Sequence, residues 1–332
     1  MPEIKAIENI DRVDWHDLLA NSSTASYFQT PECYDFFCSL SFLETFGWGV
    51  YENGQLKVVV TGYITANGGK IKQFFSRRAI IHGGVLLADD VTNKEIGALL
   101  QAVVKSLSKK VIYIEIRNNS NFSAYKRVFE KYGFGYYPHL NYLVDTSQPD
   151  KITSRYSESK VRQIRKAYEQ GVVCESTVEQ KDVDGFYYIL EKLYKRKVKK
   201  PLFPKEFFEK LVYQESCKLF VVKKNNRVIG GIACASLPGK AVYEWFVCGD
   251  TKNFNYLYPS VIATHKGIEF AAENKFAYFD FMGAGKPDVE YGVRDFKERF
   301  GGKLYEWGRF RFVSNHFLYK IGQIVIETIG KS

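Results

Sequence analysis

The chain has 332 residues, 45% of them hydrophobic and 25% charged, and a net charge of +10. That balance excludes a disordered chain, which could not bury enough apolar surface to offset the entropy of folding. Nine prolines and 26 glycines exclude collagen-like and proline-rich architectures.

At roughly 150 residues per domain the length predicts two domains, and 26 Phe with 23 Tyr supply the bulk of two cores. The first predicted element is a hairpin: 48–51, the turn Asn53-Gly54, and 56–63. Asn-Gly between two apolar runs is a strong hairpin signal. A strand over 79–81 follows. A helix over 93–108 then places Ile96, Leu99, Leu100, Val103, Val104 and Leu107 at helical spacing. A strand over 111–116, a helix over 122–132 and a final strand near 142–144 complete the first half.

Ser, Gln, Pro and Asp cluster over 145–152, which predicts a first domain of 1–150. A helix from Ser157 to Gly171 opens the second, with Ser157 as its cap and Val161, Ile164 and Tyr168 as its apolar face. Lys160, Arg162, Arg165 and Lys166 fall on the other face. A second hairpin spans 219–222 and 228–237, and a strand over 241–247 follows. The helix predicted over 259–274 carries Val261, Ile262, His265, Ile268 and Ala272, with Pro259 in its first turn. A strand over 276–281 comes next. Hairpin, strand, helix, strand occurs in each half, a mixed α/β plan used twice. The second domain is predicted over 151–315. The tail, 316–332, reads as a docking helix with Ile321, Ile324, Val325 and Thr328 inward; lying on a membrane surface is its alternative.

Residues 1–150 hold 15 Lys and Arg against 16 Asp and Glu, whereas 151–332 hold 32 against 21. All the excess basicity lies in the second half. This points to an anionic partner there: nucleic acid, a phosphate-bearing ligand or a membrane surface. Plain surface solvation is the alternative. The six cysteines form no C-x-x-C pair, and no charged-then-apolar leader is seen, so they read as reduced thiols of a cytoplasmic protein. No apolar run approaches the ~18 residues of a membrane span.

Neither G-x-S-x-G nor H-E-x-x-H occurs. Gly283-Ala284-Gly285-Lys286 resembles the end of a phosphate loop, but Asp280 stands at the first glycine position and Pro287 follows the lysine. The five histidines show no ligand spacing, so no metal is expected. The informative stretch is Tyr278-Phe279-Asp280-Phe281-Met282-Gly283 together with Phe296-Lys297-Glu298-Arg299-Phe300-Gly301. It sets a carboxylate at the end of a core strand beside a glycine turn, then a ring and a cation.

Four stretches together resemble the Fem family of peptidoglycan-bridge aminoacyltransferases, built as a tandem of GNAT-type acyltransferase domains. They are Phe28-Gln29-Thr30-Pro31-Glu32, the helix Val161-Arg162-Gln163-Ile164-Arg165-Lys166-Ala167, the block from Tyr258 to Asp280-Phe281-Met282-Gly283, and Phe296-Lys297 with Phe300-Gly301. The likeness covers nearly the whole chain. It implies an α/β fold of two GNAT-like domains, without a resident cofactor. It also implies transfer of an aminoacyl group from aminoacyl-tRNA to an amine of a UDP- or lipid-linked muramyl peptide, in the cytoplasm and with peripheral contact at the inner membrane face. The chain departs from the family at Cys33 and Phe36-Phe37, where a Trp and then a lysine are usual. A CoA-using GNAT domain carries an R/Q-x-x-G-x-G/A loop whose N–H groups hold pyrophosphate. Here that place reads Asn253-Phe254-Asn255-Tyr256-Leu257-Tyr258.

Amine attack on an ester or thioester needs help for the oxyanion and a proton for the leaving oxygen. Lys297 is the expected cation and Asp280 the group that orients the amine or its water; Asp280 as a turn cap is the plainer reading. Phe296 would pack on substrate, and Tyr258 and Asn255 would bind it. By resemblance Arg196 would contact acceptor phosphate. Lys160 and Arg165 would face tRNA. An acyl-CoA-dependent N-acyltransferase acting on a sugar or peptide amine is the first alternative. A non-catalytic basic module for RNA or anionic lipid is the second.

Overall fold

A computed structural model describes residues 2–66 and 76–322. The chain divides into two compact units, 1–139 with 306–332, and 140–305.

The first unit is built on a mixed sheet. It contains β1 (Glu3–Ala6), β2 (Glu44–Glu52), β3 (Gln55–Thr65), β4 (Arg78–Gly83), β5 (Leu86–Leu87), β6 (Tyr113–Asn118) and β7 (Gly135–Tyr137). Helices α1 (Arg12–Ala20), α2 (Pro31–Cys38), α3 (Asn93–Leu107) and α4 (Lys126–Lys131) accompany them. The predicted Asn-Gly hairpin forms between β2 and β3, with Asn53 and Gly54 both at positive φ as a primed turn requires. Strands β4 and β6 pair in parallel, joined through α3. The first turn of α3 is closed by Glu95, whose carboxylate accepts the Thr92 backbone N–H at 2.6 Å. Its stripe Ile96, Leu99, Leu100, Val103 and Leu107 is buried on Val58, Val60, Ile81, Ile114 and Ile116. The helix predicted over 122–132 is shorter: a 3₁₀ turn at Ser123–Tyr125 leads into α4.

The second unit repeats the plan. It holds β8 (Leu140–Asp145), α5 (Glu158–Glu169), β9 (Val173–Ser176), α6 (Gln180–Leu193), α7 (Lys205–Leu211), β10 (Cys217–Lys224), β11 (Arg227–Leu237) and β12 (Ala241–Gly249). The short α8 (Thr251–Phe254), α9 (Pro259–Glu273), β13 (Tyr278–Asp280), α10 (Gly292–Glu298) and β14 (Lys303–Glu306) follow. Its sheet order is β14-β8-β13-β12-β11-β10-β9, and β12 and β13 form the parallel pair across α9. Pro259 occupies the first turn of α9 as expected. Gly267 lets α9 lie close to the sheet, since a Cβ there would come 2.8 Å from the Phe279 ring. The α/β fold of two like halves agrees with the sequence reading.

Two strands change places relative to that reading. The segment near 142–144, expected to finish the first sheet, is β8 and pairs antiparallel with β13 of the second. The first sheet is completed instead by β15 (Arg309–Val313), which inserts between β6 and β7. Hence the units break at 139 and 305 rather than at 150 and 315. The packing gives the reason. Phe310 is fully buried and stacks on Phe129 with centroids 4.1 Å apart, and Phe312 meets Phe134 at 5.6 Å. The tail is helical over 316–322; the rest of the predicted docking helix lies outside the described residues. Among the described residues no helix is long and apolar enough to cross a membrane, and all six cysteines are free thiols.

Candidate active site

The second sheet forks. Strands β12 and β13 pair only from Ala241↔Tyr278 to Tyr243↔Asp280, after which β13 ends and β12 runs on to Gly249. The β11–β12 register shifts between Ala233 and Cys234, which leaves Trp245 as the extra residue of a bulge. A bulge bends its strand and re-aims neighbouring side chains. One edge of β12 beyond Tyr243 is therefore open at the carboxyl ends of a parallel pair, where open α/β sheets place ligands. Two non-glycine residues with left-handed backbone flank this opening: Tyr258 at the start of α9 (φ 52°) and Met282 just after β13 (φ 59°). Such conformations cost energy and concentrate at functional sites.

Lys297 bridges the fork. It comes from α10, is 8% exposed, and points Nζ inward. Nζ donates to the carbonyls of Phe281 at 2.6 Å and Gly283 at 2.9 Å, and lies 3.3 Å from Glu244 Oε1. Glu244 is the first β12 residue beyond the pairing, and its Oε2 accepts the Thr264 hydroxyl at 3.1 Å. Burial pushes the Glu244 carboxyl up from its ordinary value, against the opposing pull of Lys297.

Asp280 ends β13 and is completely buried. Its Oδ1 accepts the Asn141 side-chain amide at 2.8 Å and the Met282 N–H at 2.6 Å, while Asn141 Oδ1 accepts the Gly283 N–H at 2.8 Å. Asp280 thus shapes the turn that offers its carbonyls to Lys297. Its Oδ2 has no hydrogen-bond partner. Burial raises its pKa to about 6, despite the Asn141 and Met282 hydrogen bonds.

Around this centre α5 presents a lysine to two rings. The sequence reading put Lys160 on the solvated face with Val161 inward; the structure reverses them. Lys160 is 5% exposed and Val161 42%. Lys160 Nζ sits 3.9 Å from the centroid of Phe296 and 5.1 Å from that of Phe300. The charge is held by ring faces, an arrangement that suits a lysine whose stem is apolar. Burial, with Arg299 nearby, lowers its pKa to about 8. Phe296 is half-buried against the same core, as is Tyr258. The expected hydroxyl cap by Ser157 does not form. That hydroxyl bonds Ser159 Oγ at 3.0 Å, and the Ser157 backbone carbonyl takes the Lys160 N–H at 2.9 Å. Arg165 is exposed on the outer face, 3.7 Å from Glu169.

Arg196 does not join the fork cluster. It lies on the π-helical turn Tyr194–Val198 that ends α6, and lines an open cleft of about 180 Å³ with Lys192, Lys197, Asp250, Lys252 and Asn253. The floor of this cleft is the segment that replaces the pyrophosphate loop. Asp250 Oδ1 accepts the Asn253 N–H, Asp250 O the Phe254 N–H and Asn255 O the Tyr258 N–H. Three of the backbone donors over 253–258, those of Asn253, Phe254 and Tyr258, are thus committed internally. Asn255 is exposed on this segment. Among the described residues no group of three His, Cys, Asp or Glu is placed to hold a metal ion.

Sequence reasoning missed Glu244 and Asn141. Glu244 had a readable signal, a carboxylate inside the aromatic run Tyr243-Glu244-Trp245-Phe246. Asn141 had none, because β8 reaches the site only through the strand exchange.

Comparisons with known proteins agree with this architecture. Residues 154–298 match the model of an acetyltransferase (GNAT) domain. Over nearly its full length the chain resembles the crystal structure of FemX, with a TM-score of 0.70 and 14% identity, covering 96% of this chain and 99% of that one. A tandem GNAT protein from the clavulanic acid biosynthesis pathway follows at TM-score 0.63 and 10% identity, covering 95% and 99%. L-PGS from Bacillus licheniformis gives 0.59 and 13%, covering 96% and 97%. Comparison with curated proteins gave no match. The fold is a tandem of two GNAT-like domains, like that of FemX.

Proposed function

We propose that the chain is a Fem-like N-acyltransferase that moves an aminoacyl group from aminoacyl-tRNA to an amine of a UDP- or lipid-linked muramyl peptide on the cytoplasmic side. The observation that carries this reading is the segment between β12 and α9. Where a CoA-using domain offers free backbone N–H groups, this chain has a capped helical turn with Asp250 on it, bordered by Lys192, Arg196, Lys197 and Lys252. A carboxylate at that place repels a compact pyrophosphate, whereas spaced cations suit the backbone of a polyanion. The +11 balance of the second half supports the same partner.

The reaction is aminolysis of an ester. The acceptor nitrogen attacks the aminoacyl carbonyl carbon, a C–N bond forms, and the bond to the terminal ribose oxygen breaks. The proton lost by nitrogen ends on that oxygen. Lys297, whose three N–H donors are taken by Phe281, Gly283 and Glu244, acts through its positive charge on the oxyanion and the departing oxygen rather than by a direct hydrogen bond. Asp280, through Met282, and Glu244 position that ammonium. Phe296 gives a ring for substrate to pack on, Tyr258 borders the opening, and Asn255 lies exposed on the segment before it. Arg165 faces tRNA from the outer face of α5, and Lys160 stands behind Phe296.

A second reading, transfer from acyl-CoA to a sugar or peptide amine, is favoured by the match of residues 154–298 to an acetyltransferase domain. Thermal shifts with UDP-muramyl pentapeptide, acetyl-CoA and free CoA separate the two. A ligand at 100 times its Kd stabilises the native state by about 2.7 kcal/mol. A shift with the muramyl peptide and none with CoA supports the first reading. The opposite pattern supports the second.

A further inference from the structure

The first unit holds a cluster that the acyl-transfer reading leaves unused. Residues alternate along β6 and β15, so Ile114, Ile116, Phe310 and Phe312 face the helical core while Glu115, Arg117, Arg309 and Arg311 share the opposite face. Arg309 stands directly across from Arg117, and Arg311 from Glu115. Glu115 is 4% exposed and takes all three guanidiniums. Arg117 Nε lies 2.7 Å from Oε1, Arg309 Nη1 lies 3.3 Å from the same oxygen, and Arg311 binds Oε2 through two nitrogens. Among the described residues no second carboxylate bonds them.

The remaining partners are neutral. Arg117 Nη1 meets His82 Nε2 at 3.3 Å, and Arg309 Nη2 meets His139 Nε2 at 2.9 Å. A guanidinium has no acceptor, so each of these ring nitrogens must accept and carries no proton. Burial and the neighbouring arginines hold His82 well below its ordinary pKa, which agrees. Three cations and one anion leave this cluster at +2.

Arg311 uses three of its five N–H donors, two on Glu115 and one on the Tyr319 hydroxyl, and its plane is covered by the ring of Tyr137 at 4.6 Å. Arg117 and Arg309 are less committed. Each uses two of its five N–H donors on protein, and their side chains are 32% and 26% exposed. Like charges directly opposite on antiparallel strands are unfavourable. Here Glu115 and the two histidines fix both forks, preorganised for planar bidentate contact with an oxyanion.

We infer that Arg117 and Arg309 form a binding site for a dianionic phosphate group, a phosphomonoester or a diphosphate, on the first unit. The charge selects the class. A phosphomonoester carries about −1.5 to −2 near neutral pH and matches the +2 cluster, whereas a single carboxylate leaves it half compensated. The inference rests on the first unit alone and stands whether or not the proposed acyl transfer does.

The test uses the full chain at fixed ionic strength, with inorganic phosphate, pyrophosphate and acetate as probes. Phenylglyoxal labelling read by peptide mass spectrometry reports each arginine separately. Pyrophosphate or phosphate should slow labelling of Arg117 and Arg309 at least tenfold, and acetate should not. Protection by phosphate alone assigns a monoester; stronger protection by pyrophosphate assigns a diphosphate. In calorimetry, Arg309→Gln and, separately, Arg117→Gln should weaken binding at least tenfold. Equal protection by acetate, labelling unchanged by either phosphate probe, or binding lost only in Arg196→Gln would overturn the inference. Because labelling is read on the unmodified sequence, a misfolded variant does not obscure the answer.

Discussion

The Lys297 ammonium lies 3.3 Å from Glu244 Oε1, joining a helix that follows β13 to the first β12 residue beyond the fork. Both side chains are nearly buried, so each depends on the other. Removing one partner of a buried pair costs about 3–5 kcal/mol, mostly by stranding the other charge. Lys297→Met should therefore lose about 3 kcal/mol in urea unfolding at pH 8 and abolish transfer. Lys297→Met combined with Glu244→Gln should recover most of the stability and none of the activity. Recovery of transfer by the double variant would make Lys297 a purely structural residue.

Asp280 predicts a pH dependence. Its folded pKa of about 6 stands above the ordinary aspartate value of 3.8, so the native state binds the extra proton in between. The stability this gives is complete below about pH 4 and is lost as pH rises through 6. Two units correspond to about 3 kcal/mol. Asp280→Asn keeps an Oδ1 for Asn141 and Met282 and cannot ionise. The variant should lose less stability than the parent between pH 4.5 and 7.5, by an amount of that order; parallel curves would refute the assignment.

The basic cleft predicts a salt effect. Among the described residues Arg196 pairs with no carboxylate, so it is available to a phosphate. Arg196→Ala should lower the slope of log K against log salt for tRNA binding by ~0.7–0.9 per lost contact. Arg165→Ala should do the same if the outer face of α5 meets the RNA. An unchanged slope in both variants would remove these residues from the tRNA path.

The last strand predicts where damage spreads. Phe310→Ala empties a fully buried site stacked on Phe129, at a cost of about 3–5 kcal/mol. Hydrogen exchange should then show β6 losing protection while β11 and β12 keep theirs. Loss in the second sheet alone would contradict the placement of β15.

Much of this was legible locally. The Asn53-Gly54 turn, the α3 and α9 stripes and the twofold plan follow from period and turn chemistry, which act over a few residues. Lys160 was misplaced because a helical wheel scores a lysine as outward. Its apolar stem and two ring faces outweighed that rule, and Val161 took the exposed position. The exchange of β8 and β15 was not legible. Alternation announces a strand, but its partner is chosen by packing far along the chain, as Phe310 is by Phe129. Asn141 went unseen for the same reason. Lys297 and Asp280 were found from their motif, yet the motif does not reveal that Lys297 is committed to two carbonyls and to Glu244.

The most direct measurement is a transfer assay read by mass spectrometry. UDP-muramyl pentapeptide is incubated with the protein and a mixture of aminoacylated tRNAs, or with acetyl-CoA. The expected result is the mass of one amino-acid residue added to the peptide from charged tRNA, and none with Lys297→Met. An acetyl group on the same peptide from acetyl-CoA, with nothing from charged tRNA, would contradict it.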